Sequence, residues 1–325
     1  MNNNIVIFTH YKNRILALHM SDGKAYDVAL YNDAEDKLNT IYIGKVKNII
    51  KNIDAAFVEL SPGFLAYLNL RECKDLVVLN RERTEYDLRQ GDEIPVQLIK
   101  SAVKSKKPIC TGRFRLNEEA KAEILNKAKT RTVFSVLSEG TPEYVSFLNK
   151  INLSNVAKIV IDDINIFEAV SAYCSSNNAE ICPTLYEDDY PLTALYKITS
   201  VMDELKSKTV WLKSGANIVV EHTEALNVID VNTAKSIRDK SDNHILKVNL
   251  EAADEIMRQL RLRNLSGMIL IDFINDSSEN MKIVTDRVKK LAGDDDIKTE
   301  YIDITGLGIM ELTRAKKGRP LHEMI

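Results

Sequence analysis

The feature that most constrains this chain is the alternation of strand-like and helix-like periodicity over its last hundred residues. Strand Leu226–Val231 is followed by an amphipathic helix over Ile245–Arg263, with Leu246, Leu250, Ala253, Met257 and Leu260 on one face. Strand Met268–Ile274, helix Met281–Leu291 and strand Thr299–Ile304 continue the pattern. Such alternation folds as an α/β layer, in which helices cover a sheet. Upstream, strand Asn217–Glu221 precedes the turn Thr223-Glu224-Ala225.

Two residues conflict with these strands. Period-two alternation puts Leu226, Val228, Asp230 and Asn232 on one face of the first strand, so an acid ends an otherwise apolar row. The second strand is apolar everywhere except Asp272, which reads as burial on both sides. A buried carboxylate needs a cation, a metal or several donors. For one such Asp, hydrogen bonds from a neighbouring loop are the commoner outcome. Two at the C-terminal ends of β/α strands, followed by Asn232 and by Asn275-Asp276, fit a hard-cation site better. Magnesium or manganese bound there could polarise a phosphodiester and supply the hydrolytic nucleophile. The five histidines show no metal-ligand or base-nucleophile spacing, and Gly306-Leu307-Gly308 lacks the third glycine of a dinucleotide fingerprint.

The first half reads differently. Runs Asn4–Thr9, Arg14–Met20 and Ala25–Tyr31 form a meander, and Ile41–Lys47, Ala55–Leu60, Gly63–Leu68 and Glu93–Ile99 form a small barrel. Lys45, Lys47 and Lys51 lie near its first strand, while Lys100, Lys104, Lys106, Lys107, Arg113 and Arg115 follow its last. These runs either attract phosphate or form an ordinary solvated surface. A net charge of −3 makes any basic surface local. Further on come helix Asn117–Thr130, strand Thr132–Leu137, a βαβ-like unit from Val156 to Cys182, and helix Tyr190–Leu205. The cysteines Cys73, Cys110, Cys174 and Cys182 are scattered, and no run approaches the roughly 18 apolar residues of a membrane span. With no secretory start, the expectation is a cytoplasmic protein without a membrane partner.

The segments Val210-Trp211-Leu212-Lys213-Ser214-Gly215, Ile218 to Leu226 and Ile229-Asp230-Val231-Asn232 resemble the catalytic core of the ribonuclease E/G family. Asn249 to Ile256, Arg258 to Arg263, Gly267, Ile271-Asp272-Phe273-Ile274 and Gly308 to Arg314 follow in the family's order. Upstream, Ile41 to Val46, Ala55 to Val58 and Gly63-Phe64-Leu65 resemble its S1-type barrel.

The resemblance implies an α/β (α+β multidomain) chain. A ribonuclease H-like domain (1–38 and 141–209) is interrupted by an S1-type OB-fold RNA-binding domain (39–116), with a reduced 5′-sensor-like region (117–140) and a DNase I-like catalytic domain (210–325). It implies endonucleolytic hydrolysis of single-stranded RNA, such as mRNA or rRNA precursors, with magnesium as cofactor and manganese able to substitute. By position Asp230 and Asp272 match the metal-binding acids and Asn232 an orienting side chain; Phe57, Phe64 and Lys106 match barrel positions that hold RNA. Without the family, a Phe in a small barrel is more often core than ligand.

Two departures stand out. Where sensing members carry an Arg-Thr pair, alignment on Glu139-Gly140 places Ser135-Val136, which removes the guanidinium fork for a terminal phosphate. The paired-cysteine zinc link is missing, so no zinc is expected, and any homo-oligomer would form without it. The rival reading is a catalytically inactive RNA-binding factor in ribosomal RNA maturation. Retention of Asp230, Asp272 and Asn232 argues against it.

Overall fold

The computed structural model describes residues 4–32, 38–72, 76–82, 88–100, 107–114, 116–233 and 243–325. The chain divides into two compact units, Met1–Tyr31 with Phe147–Ile325, and Asn32–Ser146.

The first unit opens with the expected meander of β1 (Ile5–Tyr11), β2 (Arg14–Ser21) and β3 (Lys24–Asn32). Asp22 and Gly23 both take positive φ, at 49° and 75°, the backbone that lets a two-residue hairpin follow the strand twist.

The second unit is a closed five-stranded barrel of OB-like type. β4 (Ile41–Ile50), β5 (Ala55–Ser61), β6 (Phe64–Asn69), β7 (Glu93–Lys100) and β8 (Ile109–Thr111) join in the cycle β5-β6-β8-β7-β4-β5. Alternation sets the core: Ala56, Val58, Leu60, Ala66, Leu68, Ile94, Val96 and Leu98 are buried inside. Buried Asp92 accepts both forks of Arg81, at 2.6 and 2.8 Å, and the backbone amide of Arg89 at 2.7 Å. Helix α1 (Glu118–Ala128), capped by Asn117, leads to β9 (Val136–Ser138), which joins β4. The expected strand Thr132–Leu137 therefore starts later, after Phe134 in the left-handed region. Gly140 packs so closely that a Cβ would lie 1.9 Å from the Leu38 carbonyl oxygen, which excludes any side chain there.

Back in the first unit, β10 (Lys158–Ile161), α2 (Ile164–Ser176) and β11 (Thr184–Leu185) form the βαβ unit, with β10 parallel to both β1 and β11. The second strand begins beyond the apolar run expected around Ala179–Cys182. The expected helix Tyr190–Leu205 is two pieces, α3 (Leu192–Leu195) and α4 (Ile198–Lys206), because Lys197 takes φ 52°. Ile198, Met202 and Leu205 pack with Ile7, Leu16, Leu18 and Val160 beneath the five-stranded sheet β11-β10-β1-β2-β3.

The second sheet of this unit has the order β12-β13-β14-β15-β17-β16. Its strands are β12 (Thr209–Trp211), β13 (Asn217–His222), β14 (Leu226–Asn232), β15 (Gly267–Asp272), β16 (Thr299–Ile304) and β17 (Met310–Arg314). Between them run α5 (His244–Leu262) and α6 (Ser278–Gly293). Ile218, Val220, Ile229, Val231, Ile269 and Ile271 share a core with Val248, Ala252, Ile256 and Leu260 of α5 and Val284 and Val288 of α6. β15 is not buried on both sides as its composition suggested. Its alternate residues Met268 and Asp272 are exposed, so the apolar run supports a one-faced core. At the end of β17, Arg314 and Asp295 form an ion pair at 2.7 Å with both side chains almost wholly buried.

Candidate active site

β14 and β15 run parallel, and their register pairs Leu226 with Met268, Val228 with Leu270 and Asp230 with Asp272. Directly paired residues on parallel neighbours point to the same face, with backbones about 4.8 Å apart. Two carboxylates therefore end side by side at the C-terminal tips of adjacent strands, where open α/β sheets gather their ligands. Asp272 is exposed and Asp230 half-buried. The demand for a partner thus comes from their mutual repulsion across the register, not from burial.

The Asn232 amide donates to Asp230 Oδ2 at 2.7 Å, which orients that carboxylate and leaves its other oxygen uncommitted to this bond. Beyond β15, the side chain of Asn249 on α5 is fully buried. It donates to the Ile274 carbonyl at 2.8 Å and accepts the Ile274 amide at 3.2 Å, pinning the chain two residues after Asp272. Glu251, two residues further on, accepts the amides of Lys213 and Ser214 at 2.7 and 3.2 Å and shapes the turn into β13. Asn249 and Glu251 were not singled out from sequence as site residues, because their roles exist only once α5 lies across the sheet.

Asp276, which follows Asp272 in the sequence, is engaged by protein donors. Its carboxylate accepts the Ser277 amide at 2.7 Å and the Asn280 side chain at 2.9 Å at the start of α6. Among the described residues no group of three or more His, Cys, Asp or Glu is placed to hold a metal ion. The donor set is a carboxylate pair with an orienting amide, which fits a cation that keeps several waters and takes one or two carboxylates.

The barrel separates the two phenylalanines. Phe57 alternates with the core residues of β5, is partly exposed, and meets its cross-strand partner Tyr67 edge to face, with centroids 6.3 Å apart. Phe64 shares the parity of Ala66 and Leu68 and packs against the barrel core while remaining partly exposed. Tyr67, absent from the sequence candidates, completes an outward aromatic pair. Lys47 is engaged by Glu59 at 2.9 Å, and this bond with the Gly63 amide holds the Glu59 carboxyl below its usual range. Lys106, Lys104 and Arg115 lie outside the described residues.

An OB-like barrel and an α/β sheet with two acids paired at its strand tips define a mixed α/β protein. The sequence model of the ribonuclease E/G family matches residues 102–317, and the chain belongs to that family. It is 25% identical to ribonuclease E of Nostoc sp. over 89% of this chain and 52% of that protein. To ribonuclease E of Escherichia coli it is 32% identical over 52% of this chain and 16% of the relative. To ribonuclease G of the same organism it is 30% identical over 52% of this chain and 35% of the relative. The chain spans about half the length of the first of these and less of the others. Among the described residues, no helix is long and apolar enough to cross a membrane.

Proposed function

We propose that this chain is a magnesium-dependent endoribonuclease that cleaves single-stranded RNA by metal-assisted hydrolysis, in RNA processing or decay. The observation that carries the reading is the register pairing of Asp230 with Asp272 at the tips of parallel strands. Magnesium held there would polarise the phosphodiester and supply a nucleophile at neutral pH. Asp230 and Asp272 would hold it, with Asn232 fixing the rotamer of Asp230 and Asn249 fixing the exit of the strand that carries Asp272. Manganese would serve in the same oxygen-donor site.

The barrel would deliver the substrate. An aromatic face on an OB-like barrel stacks bases of any sequence, and Phe57 with Tyr67 presents such a face; Phe64 at the barrel rim and Lys106 complete the proposed contact set. The first sheet supports the ribonuclease H-like assignment to residues 1–38 and 141–209: three antiparallel strands are extended by two parallel ones, in the order β3-β2-β1-β10-β11. The helix-covered sheet within residues 210–325 carries the acids and is the proposed DNase I-like catalytic domain. Residues 39–116 would be the RNA-binding domain and 117–140 the remnant of a 5′-end sensor.

The test is incubation with an unstructured RNA, with and without magnesium. Magnesium-dependent internal cuts that leave 5′-phosphate and 3′-hydroxyl ends are expected. RNA binding without any cleavage would instead describe an inactive RNA-binding factor.

A further inference from the structure

A cavity of about 350 Å³ opens in the first unit, away from the acid pair. His222, on its wall, is registered with Asn227 near the start of β14 and shares the parity of Ile218 and Val220. That places it on the opposite face from Asp230.

The cavity holds an unusual group. Arg263 is more than nine-tenths buried, and its Nη2 is a buried donor with no partner among the described residues. Its Nε donates to Gln259 Oε1 at 2.7 Å, a partner that brings no negative charge. Gln259 is itself fixed by Glu255, whose carboxylate also takes Arg258. The guanidinium is thus clamped in one orientation while part of its donor fork is left unused. Burial pushes Arg263 down to about 10, against the pull of Glu204 and Glu255, so it keeps its charge at neutral pH. Arg263 lines the cavity, and a clamped cationic donor fork of this kind suits an oxyanion such as phosphate.

The rest of the lining narrows the ligand. Lys12, Lys206 and Lys208 line the cavity; Lys206 is shared with Asp203 and Lys208 with Glu221, at 2.9 Å each. The same cavity is lined by a flat aromatic pair, the rings of His222 and His322 stacked 3.7 Å apart at 18°, and by the apolar side chains of Leu205 and Leu265. The space exceeds what inorganic phosphate needs and is of the size that small-molecule sites occupy.

We propose that this cavity binds a phosphate monoester of mononucleotide size, with the phosphate on Arg263 and the base against the stacked imidazoles. Such a ligand would be a free nucleotide and not a segment of RNA chain, because the flat surface and the guanidinium line one cavity of about 350 Å³.

The test is thermal unfolding of the full chain without divalent metal at constant ionic strength, with uridine 5′-monophosphate, inorganic phosphate, uridine, or an RNA trinucleotide bearing hydroxyl ends. The unfolding midpoint of the wild type should rise with the mononucleotide, rise less with phosphate, and stay unchanged with uridine. Arg263→Gln should weaken the mononucleotide's effect about tenfold or more, the loss expected for a charge-assisted hydrogen bond. Should that buried variant fail to fold, His222→Ser at an exposed position carries the test, with weaker nucleotide binding and an unchanged response to phosphate. An equal nucleotide response in wild type and in every variant that folds would overturn the proposal. So would protection by uridine equal to that by the nucleotide, or by the trinucleotide alone, which would assign the site to RNA.

Discussion

Asn249 offers the sharpest link between packing and chemistry. Its side chain is fully buried and spends both of its functional atoms on the backbone of Ile274, at 2.8 and 3.2 Å. Replacing it by Ala leaves the Ile274 amide and carbonyl without these partners at a part-buried position. Each unpaired group costs about 1–3 kcal/mol, so the variant should lose roughly 2–5 kcal/mol out of a total stability of about 5–15 kcal/mol. The effect does not stop at stability, because Ile274 lies two residues beyond Asp272 on the same extended segment. A displacement of about 1 Å at a reacting group can cost on the order of 100-fold in rate. Urea denaturation followed by circular dichroism would measure the first effect, and magnesium-saturated cleavage of the folded variant the second. A variant within about 0.5 kcal/mol of wild type that cuts RNA at the wild-type rate would refute the reasoning at both levels.

Three further outcomes are expected. Burial alone would raise the Asp295 carboxyl, but Arg314 and the Thr299 hydroxyl hold it below the ordinary 3.8, so its stabilisation is complete above that value and is lost as pH falls through the lowered one. Asp295→Ala should therefore cost about 3–5 kcal/mol at neutral pH, with the gap to wild type closing below about pH 4; a gap independent of pH would contradict the pairing. Phe57→Leu should weaken single-stranded RNA binding by about 1–3 kcal/mol in a filter-binding titration, whereas Phe64→Leu should act more on barrel stability; equal behaviour of the two would mean their different parities do not matter. RNAs with 5′-monophosphate, 5′-triphosphate and 5′-hydroxyl ends should be cut at similar rates, since Ser135 offers one hydroxyl and Val136 no side-chain donor. A preference of about tenfold for the monophosphate would show that another residue, such as Arg131 or Arg113, supplies the fork.

Much of this was legible in the sequence because periodicity reports faces. The alternation in β14 correctly put Asp230 and Asn232 together and opposite Ile229 and Val231. It could not report which face was covered. The apolar run at β15 reads as buried on both sides, yet Met268 and Asp272 are exposed, so like-charge proximity and not desolvation creates the demand for a cation. Local backbone choices were also invisible: Lys197 in the left-handed region splits a pattern that reads as one helix. Asn249 and Arg263 look like ordinary polar residues on an amphipathic helix. Their meaning comes from partners far along the chain, the Ile274 backbone for one and the wall of a cavity for the other. The reverse holds for Gly308 to Arg314, where a family motif acquires a structural reason in the buried pairing of Arg314 with Asp295.

The central claim is that Asp230 and Asp272 act as one metal-binding pair. It is tested most directly by measuring, on the same preparations of wild type, Asp230→Asn and Asp272→Asn, both single-stranded RNA binding and the cleavage rate as magnesium is titrated. The account predicts that each substitution lowers cleavage by orders of magnitude while RNA affinity stays near wild type, because the barrel is untouched. Cleavage near the wild-type rate in either variant, with the same dependence on magnesium, would contradict it.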